Sequence, residues 1–399
     1  MKLFPYNNRG LVVRKLFRCA VLRPPSNMAK SILITGGAGF VGSHLADELL
    51  DRGYEVRALD NLSPQVHEEN CGRPDYLAPE VELIKADTND RQAVWRALQD
   101  VDAVYHLAAA IGVGQSMYEI AHYTNVNAGG TAVLLEALAK RPVERLIVAS
   151  SMSVYGEGIC RARSGLRVDP ESRSLRQLKA RQWDLLDVDG TPLAPLPTPE
   201  SKSPTLPSVY AISKYYQERL CMTVGPAYGI STVALRFFNI YGTRQSLSNP
   251  YTGVLAIFAS RLLNDRRPLV NEDGRQRRDF VNVRDVVQAC RLALEVPHAD
   301  GHVFNVGSGQ SFSIRQVAEI MASALGRSDI EPEITQRYRV GDIRNCFADI
   351  FLAQSVLGYQ PQVKFHDGIR ELATWLEDQT AEDRVDYAAT ELLARGLAA

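Results

Sequence analysis

Residues 31–42 read SILITGGAGFVG, a strand-like run passing straight into a glycine-rich turn. Ser31–Thr35 is short, apolar and β-branched, the composition of a strand buried on both faces. Gly36, Gly39 and Gly42 follow at G-x-x-G-x-x-G spacing, and Phe40–Leu50 carries an apolar helical pattern that includes Val41. Such a turn needs glycine for positive φ and for close approach of backbone to a phosphate. The free N–H groups that open the next helix favour a pyrophosphate. The same glycines would also suit a plain tight connection between strand and helix. The next strand favours the first reading. Tyr54–Leu59 is apolar and ends at Asp60, 18 residues after Gly42, where a dinucleotide site places its ribose-binding carboxylate. A carboxylate there would also repel the 2′-phosphate of a phosphorylated dinucleotide, so NAD is expected over NADP.

The chain has 399 residues, room for one large or two ordinary domains. Its 45 Lys and Arg balance 46 Asp and Glu, which gives no sign of a nucleic-acid or membrane-surface protein. Six cysteines are scattered at 19, 71, 160, 221, 290 and 346 without a C-x-x-C pair. That argues against a disulfide framework or a zinc site and suits a reducing cytoplasm. Residues 1–28 differ: they carry Lys2, Arg9, Arg14, Lys15, Arg18 and Arg23 with no acidic residue. Such a leader can be a targeting peptide. Met28-Ala-Lys stands just before the first strand, and the expectation adopted is a disordered or mis-assigned extension.

After Asp60 and Asn61 a polar loop runs to Pro79, followed by the strand Val81–Ala86, then Asp87 and Thr88, and the helix Asp90–Gln99. The strand Ala103–Leu107 opens into Ala108-Ala-Ala-Ile-Gly-Val-Gly114, where small residues let backbone lie against a flat cofactor or simply pack closely. A helix over Ile120–Asn127 leads to Gly129-Gly130-Thr131 and a helix over Ala132–Ala139, then to the strand Leu146–Ala149, which ends at Ser150-Ser151. This alternation predicts a parallel sheet covered on both faces. Residues 158–204 interrupt it with six arginines and six prolines, and read as an insertion outside the core. The helix Ser208–Val224, the strand Thr232–Phe237 and the strand His302–Val306 resume the pattern, and 313–378 is mainly helical.

Tyr210 and Lys214 lie four apart and so project from one face of a helix. An ammonium beside a phenol stabilises the phenolate and makes a general base for a sugar hydroxyl. Y-x-x-x-K also occurs on solvated helix faces, but here Ser151 stands at the carboxyl end of a strand, where open α/β sheets bind ligands.

From Lys30 to Trp375 the chain resembles the extended short-chain dehydrogenases/reductases of the nucleotide-sugar epimerase/dehydratase group. The motifs that carry this are TGGAGFVG, LDNL, KADTND, HLAAA, SSMSVYG, YAISK, LRFFNIYG, RRDFVNV, FNVGSG and RVGDIR. The resemblance implies a Rossmann-type doubly wound parallel sheet with a smaller mixed α/β C-terminal substrate lobe. It places the NAD-binding domain at 29–238, completed by about 283–309, the substrate lobe at 239–282 and 310–378, and a tail at 379–399. Gly36, Gly39, Phe40, Val41, Gly42, Asp60, Asn61, Asp87, Thr88, Leu107, Ala108, Ala109 and Asn127 would hold NAD. Asp60 would bind the adenosine ribose, Asp87 the adenine and Lys214 the nicotinamide ribose. Ser151 would bond the sugar O4 and Tyr210 would be the acid/base, with Ser153 beside them on the substrate. Asn239, Arg278 and Arg339 match positions that hold the substrate's nucleotide diphosphate, a task that guanidinium forks suit, although either arginine could equally be a surface charge.

Family dehydratases place an Asp-Glu pair where this chain has Met152 and Ser153, so loss of water from the sugar is not expected. Ser151 and Tyr210 are 59 residues apart, longer than usual in the family, so the insertion could cap the site. The stretches QSLSNPYTGVLAIFASRLLN and EDGRQRRDFVNV are most similar to bacterial epimerases of dTDP-L-rhamnose. The expected reaction is therefore 4-epimerisation of a nucleotide-diphosphate sugar, dTDP-L-rhamnose to dTDP-6-deoxy-L-talose, through a 4-keto sugar. Residues 244–256 should line the sugar pocket, with Gly253 leaving space. A 4-ketosugar reductase, a UDP-hexose 4-epimerase and a non-catalytic dinucleotide sensor are the alternatives. The resemblance further implies a homodimer in the cytoplasm that needs no metal and binds neither nucleic acid nor membrane.

Overall fold

Ile32 and Ile34 point to one face of strand β1 (Ser31–Thr35), Leu33 points to the other, and all three are fully buried. A strand apolar on both faces must be covered on both, and the computed structural model shows how. It describes residues 30–67, 72–251 and 253–399, so the expected leader at 1–28 lies outside the described residues. Strands β2 (Glu55–Asp60), β3 (Glu82–Lys85), β4 (Ala103–His106), β5 (Arg145–Ser151), β6 (Ser231–Phe237) and β7 (Val303–Val306) join β1 in a seven-stranded sheet. Every pairing is parallel, and the order is β7-β6-β5-β4-β1-β2-β3. The winding direction reverses between β1 and β4, which opens a crevice at their carboxyl ends.

Helix α1 (Phe40–Asp51) covers one face together with α5 (Val283–Glu295). Helices α2 (Arg91–Ala97), α3 (Gly130–Lys140) and α4 (Val209–Ala227) cover the other. Side chains at α1, α2 and α3 therefore interlock with alternate residues of the same strands. The two helices expected on either side of Gly129–Thr131 are continuous: a wide π-type turn, Thr124–Gly129, runs directly into α3. A Cβ on Gly130 would lie 2.4 Å from Thr88 Oγ1, so the glycine serves close packing of this helix against the end of β3.

The smaller lobe has its own core, in which Tyr241, Phe258, Phe280 and Phe365 are buried around the helices Val254–Leu263, Ile314–Ala324 and Phe365–Leu376. Residues 158–204 do not stand apart from the core as expected. Cys160–Arg161 pairs antiparallel with Arg167–Val168 and with Ala194–Pro195, and Thr198 is fully buried and bridges to Ala348. Asn305 in β7 donates from its backbone to Glu200 Oε1 (2.7 Å) and from its side chain to the Thr198 carbonyl (2.9 Å), which locks the end of the segment to the main sheet. The tail forms a helix, Val385–Ala394, and ends by pairing Ala399 with Tyr338 through two backbone hydrogen bonds. Among the described residues no helix is long and apolar enough to cross a membrane.

Candidate active site

The cleft lies at the carboxyl ends of β1, β2, β4 and β5, has a volume of about 460 Å³, and gathers most of the residues singled out in the sequence. Gly36 has φ +71°, and a Cβ there would lie 2.9 Å from the Ala108 nitrogen. On Gly42 a Cβ would meet the Gly36 carbonyl at 2.2 Å. Only glycine lets the turn fold this tightly, and the cradle that results suits a pyrophosphate. Asp60 closes it: its carboxylate accepts from the Ala38 N–H (3.0 Å) and the Leu62 N–H (2.9 Å). Asp87 accepts from the Asn89 backbone and side chain and from Asn61 Nδ2. Burial works against the charged Asp87, but those hydrogen bonds outweigh it and hold the carboxyl below its usual range.

Along the cleft's floor the loop after β4 presents Leu107, Ala108 and Ala109, a flat surface of small residues. Asn127 does not line the cleft. It is fully buried beneath this loop, where Oδ1 accepts from the Ala110 N–H (2.7 Å) and Nδ2 donates to Ser213 Oγ (2.8 Å). Its visible task is to hold the loop in place.

Ser151 ends β5, and Tyr210 and Lys214 stand one turn apart on α4, so strand and helix bring the three together in the cleft. Ser151 Oγ lies 3.1 Å from Ser153 Oγ and accepts from the Ser153 N–H. Burial pushes the Tyr210 phenol up, and a hydrogen bond with Ser151 draws it partly back. The expected lowering by Lys214 is not seen in this state. Burial draws the Lys214 ammonium itself down to about 7, and it donates to Gln217 Oε1 at 2.7 Å. Gln217 passed unnoticed in the sequence, although its i+7 spacing from Tyr210 puts it on the same face of α4.

The cleft is also lined by Asn239 and, from the stretch 244–256, by Gln245, Ser246, Asn249 and Tyr251. Gln65, Gln115 and Tyr123 join them and were not singled out in the sequence. Gly253 does not leave open space: a Cβ there would sit 2.9 Å from Gln245 Nε2, so the amide already fills it. Arg278 and Arg339 do not line this cleft. The Arg278 guanidinium donates to the carbonyls of Arg277 and Arg344, at 2.9 and 3.1 Å, and to that of Ile343. Arg339 is exposed and pairs with Asp342 at 2.8 Å. No residue of 158–204 lines the cleft either, so the segment is not a cap over it. It acts on the turn that carries Arg339: Arg173 donates to the Asp342 carbonyl (3.0 Å), and Asp184 pairs with Arg344 at 2.8 Å.

Comparison with known proteins bears on this arrangement. The model of the NAD dependent epimerase/dehydratase family matches residues 32–174 and 189–307. A dTDP-L-rhamnose 4-epimerase of Burkholderia thailandensis is 37% identical over 355 residues, covering 88% of this chain and 96% of the relative. The solved UDP-glucose 4-epimerase of Thermotoga maritima, with UDP-glucose, is 31% identical with a TM-score of 0.71, covering 87% of this chain and 98% of that one. The UDP-glucose 4-epimerase of Thermus thermophilus, in complex with NAD, is 30% identical with a TM-score of 0.69, covering 88% of this chain and 100% of that one.

Proposed function

Because the chain belongs to the NAD dependent epimerase/dehydratase family, we propose that it converts dTDP-L-rhamnose to dTDP-6-deoxy-L-talose. It is an NAD-dependent nucleotide-sugar 4-epimerase. The cleft fits NAD, since the glycine cradle leaves no room for a side chain where a pyrophosphate would lie, and Asp60 stands at the end of β2. Gly36, Gly39, Phe40, Val41 and Gly42 would hold the pyrophosphate, Asp60 and Asn61 the adenosine ribose, and Asp87 and Thr88 the adenine. Leu107, Ala108 and Ala109 would lie along the cofactor, with Asn127 setting their position.

When bound, the nicotinamide accepts a hydride from the sugar and returns one to it. The chain's own residues manage the proton and the geometry. Ser151 orients the O4 hydroxyl, and Tyr210 takes its proton as the carbonyl forms and gives it back as the alcohol re-forms. Lys214 supplies the positive charge that keeps the Tyr210 phenolate accessible once cofactor and substrate have drawn the two groups together. Asn239, Arg278 and Arg339 would hold the nucleotide diphosphate while the sugar turns over.

The observation that carries this reading is the pairing of Ser151 and Tyr210 in a cleft with Met152 and Ser153, and no carboxylate, in the neighbouring positions. Epimerisation needs no further acid or base, whereas dehydration does. The similarity to UDP-glucose 4-epimerases supports a UDP-hexose as the second reading. The cytoplasm we assign suits four buried free thiols, Cys160, Cys221, Cys290 and Cys346. A homodimer would cover the exposed Ile120, Ile212 and Tyr216, which share the surface around α4.

Incubation with dTDP-L-rhamnose, and separately with UDP-galactose, without added NADH tests the proposal. Product from the first at constant nicotinamide absorbance over many turnovers is the expected result. Product only from the second moves the assignment to a UDP-hexose. Steady NADH consumption with a 4-keto sugar, and no interconversion of 4-hydroxy sugars, makes the enzyme a reductase.

A further inference from the structure

Lys214 is buried, and burial of an ammonium away from water strongly favours its neutral form. Its side-chain hydrogen bond goes to Gln217 Oε1, at 2.7 Å, while Cys221 and Glu218 act on it through charge alone. Gln217 is itself fully buried, and its amide is fastened on the other side. Nε2 donates to Thr131 Oγ1 (3.0 Å) and to the Ala108 carbonyl (3.3 Å). Those partners fix which way the amide faces, because an ammonium has donors only and needs the amide oxygen. Behind them, His106 bridges Thr35 Oγ1 and Thr131 Oγ1, each at 2.8 Å, and Thr131 donates to the Asn127 carbonyl. The network thus runs from the end of β1, through β4 and α3, to the ammonium in the cleft.

We propose that Gln217 is a positioning residue: its side-chain oxygen fixes the Lys214 ammonium on the floor of the cleft and keeps it charged, which leaves the other two N–H bonds for the cofactor and the reacting end of the substrate. The inference rests on the reading of Lys214 given above. A neutral amide does this where a carboxylate would cancel the charge, and an apolar side chain would leave the ammonium without an acceptor. The titratable groups that face the ammonium are Tyr210, Glu218 and Cys221 of α4 and His106 of β4. Glu218 is already paired with Arg236 and with Ser150, and burial holds His106 neutral, down to about 3. Asn127 and Thr131, from the turn and helix packed against α4, carry no charge. Gln217 is therefore the partner that sets the ammonium's place.

The test is the pH profile of kcat for the NAD-loaded Gln217→Met and Gln217→Glu proteins, beside Lys214→Met. Activity falls at high pH where Lys214 loses its proton. Removing the acceptor lowers that pH, so the basic limb of Gln217→Met should move down by about one pH unit, the scale of a lost charge-assisted hydrogen bond. KM for the nucleotide sugar should stay near that of the parent. Gln217→Glu keeps an oxygen beside the ammonium and adds charge, so its basic limb should move up, and it stands in if the Met protein does not fold. Basic limbs that stay in place in the folded variants, or a loss uniform across pH, would overturn the proposal. Normal turnover by Lys214→Met would instead overturn the reading of Lys214 on which it rests.

Discussion

At the cofactor end of the cleft, Gly36, Asp60 and Asp87 stand at the ends of the adjacent strands β1, β2 and β3, each held by bonds within this three-strand unit, Gly36 to Leu59, Asp60 to Ala38 and Leu62, and Asp87 to Asn61 and Asn89. The residues proposed for the nucleotide sugar differ: Asn239 lines the cleft and donates to the Asp279 carbonyl, while Arg278 and Arg339 lie outside it, engaged with three carbonyls and with Asp342. The first end is complete before any ligand arrives. The second is assembled by contacts far apart in the chain. The lesson is that a site written into strand ends is rigid and local, whereas one made by tertiary contacts must be positioned by its surroundings.

The sharpest way to break this contrast is at the junction of the two ends, on Tyr210. Tyr210→Phe removes only the proton-transfer group, so kcat should fall ~10²–10⁴-fold. NAD binding, which rests on the pre-built end, should stay near that of the parent by isothermal titration. A Phe variant with normal turnover would take the phenol out of the mechanism, and one that lost NAD would show that the two ends are not separable.

The same difference explains what could be read in advance. All seven strands of the sheet were legible within a residue or two, because each is a short apolar run between polar turns, and the glycine spacing follows from backbone sterics alone. Gly36 and Asp60 were legible for the same reason, whereas Asp87 was singled out by the family resemblance. Asn127 was placed in the right neighbourhood but beneath the loop, since a sequence does not say which side of a backbone a buried amide serves. Gln65 and Gln115 were invisible because they pair with each other across 50 residues, and Gln217 passed unnoticed because its amide is held by His106, 111 residues away, although Lys214 is only three away. Gly253 misled in the opposite direction, because Gln245 fills the space that the missing side chain leaves.

The two arginines sharpen the comparison at a smaller scale. Arg339 is exposed and spends its guanidinium on the nearby Asp342, so Arg339→Ala should leave the fold intact. If it meets the diphosphate, a charged hydrogen bond worth roughly 1.5–3 kcal/mol is lost and KM rises by about 10–100-fold. Arg278 is different, since three backbone carbonyls depend on it. Arg278→Ala should lower Tm as well as raise KM. Equal Tm for the two variants would mean that Arg278 is as free as Arg339, and an unchanged KM for Arg339→Ala would remove it from the substrate site.

The smallest effect is expected at the segment that separates the sequence of the two ends, and there length matters. Between 32 and 307 the family match omits only 175–188, a narrower piece than the 158–204 that the sequence marks out. Within 175–188, Leu178 and Trp183 are buried against Tyr338 and Val340, and Asp184 pairs with Arg344. None of these lines the cleft, and Arg344 keeps Glu272 and Asp273. A short Gly/Ser linker in place of 175–188 should therefore leave kcat unchanged and unfolding cooperative. Loss of the buried Trp183 cluster costs about 3–5 kcal/mol, read as a Tm lower by roughly 5–15 °C. Replacing all of 158–204 is another matter. It would take Glu200 from the buried backbone N–H of Asn305 of β7, and would remove one of several partners from the Asn305 amide (Thr198) and from the Arg236 guanidinium of β6 (Glu200). That longer replacement should abolish cooperative unfolding by circular dichroism. A long replacement that still unfolds cooperatively would return the whole segment to the status of a dispensable insertion, and a short one that does not fold would make even 175–188 part of the core.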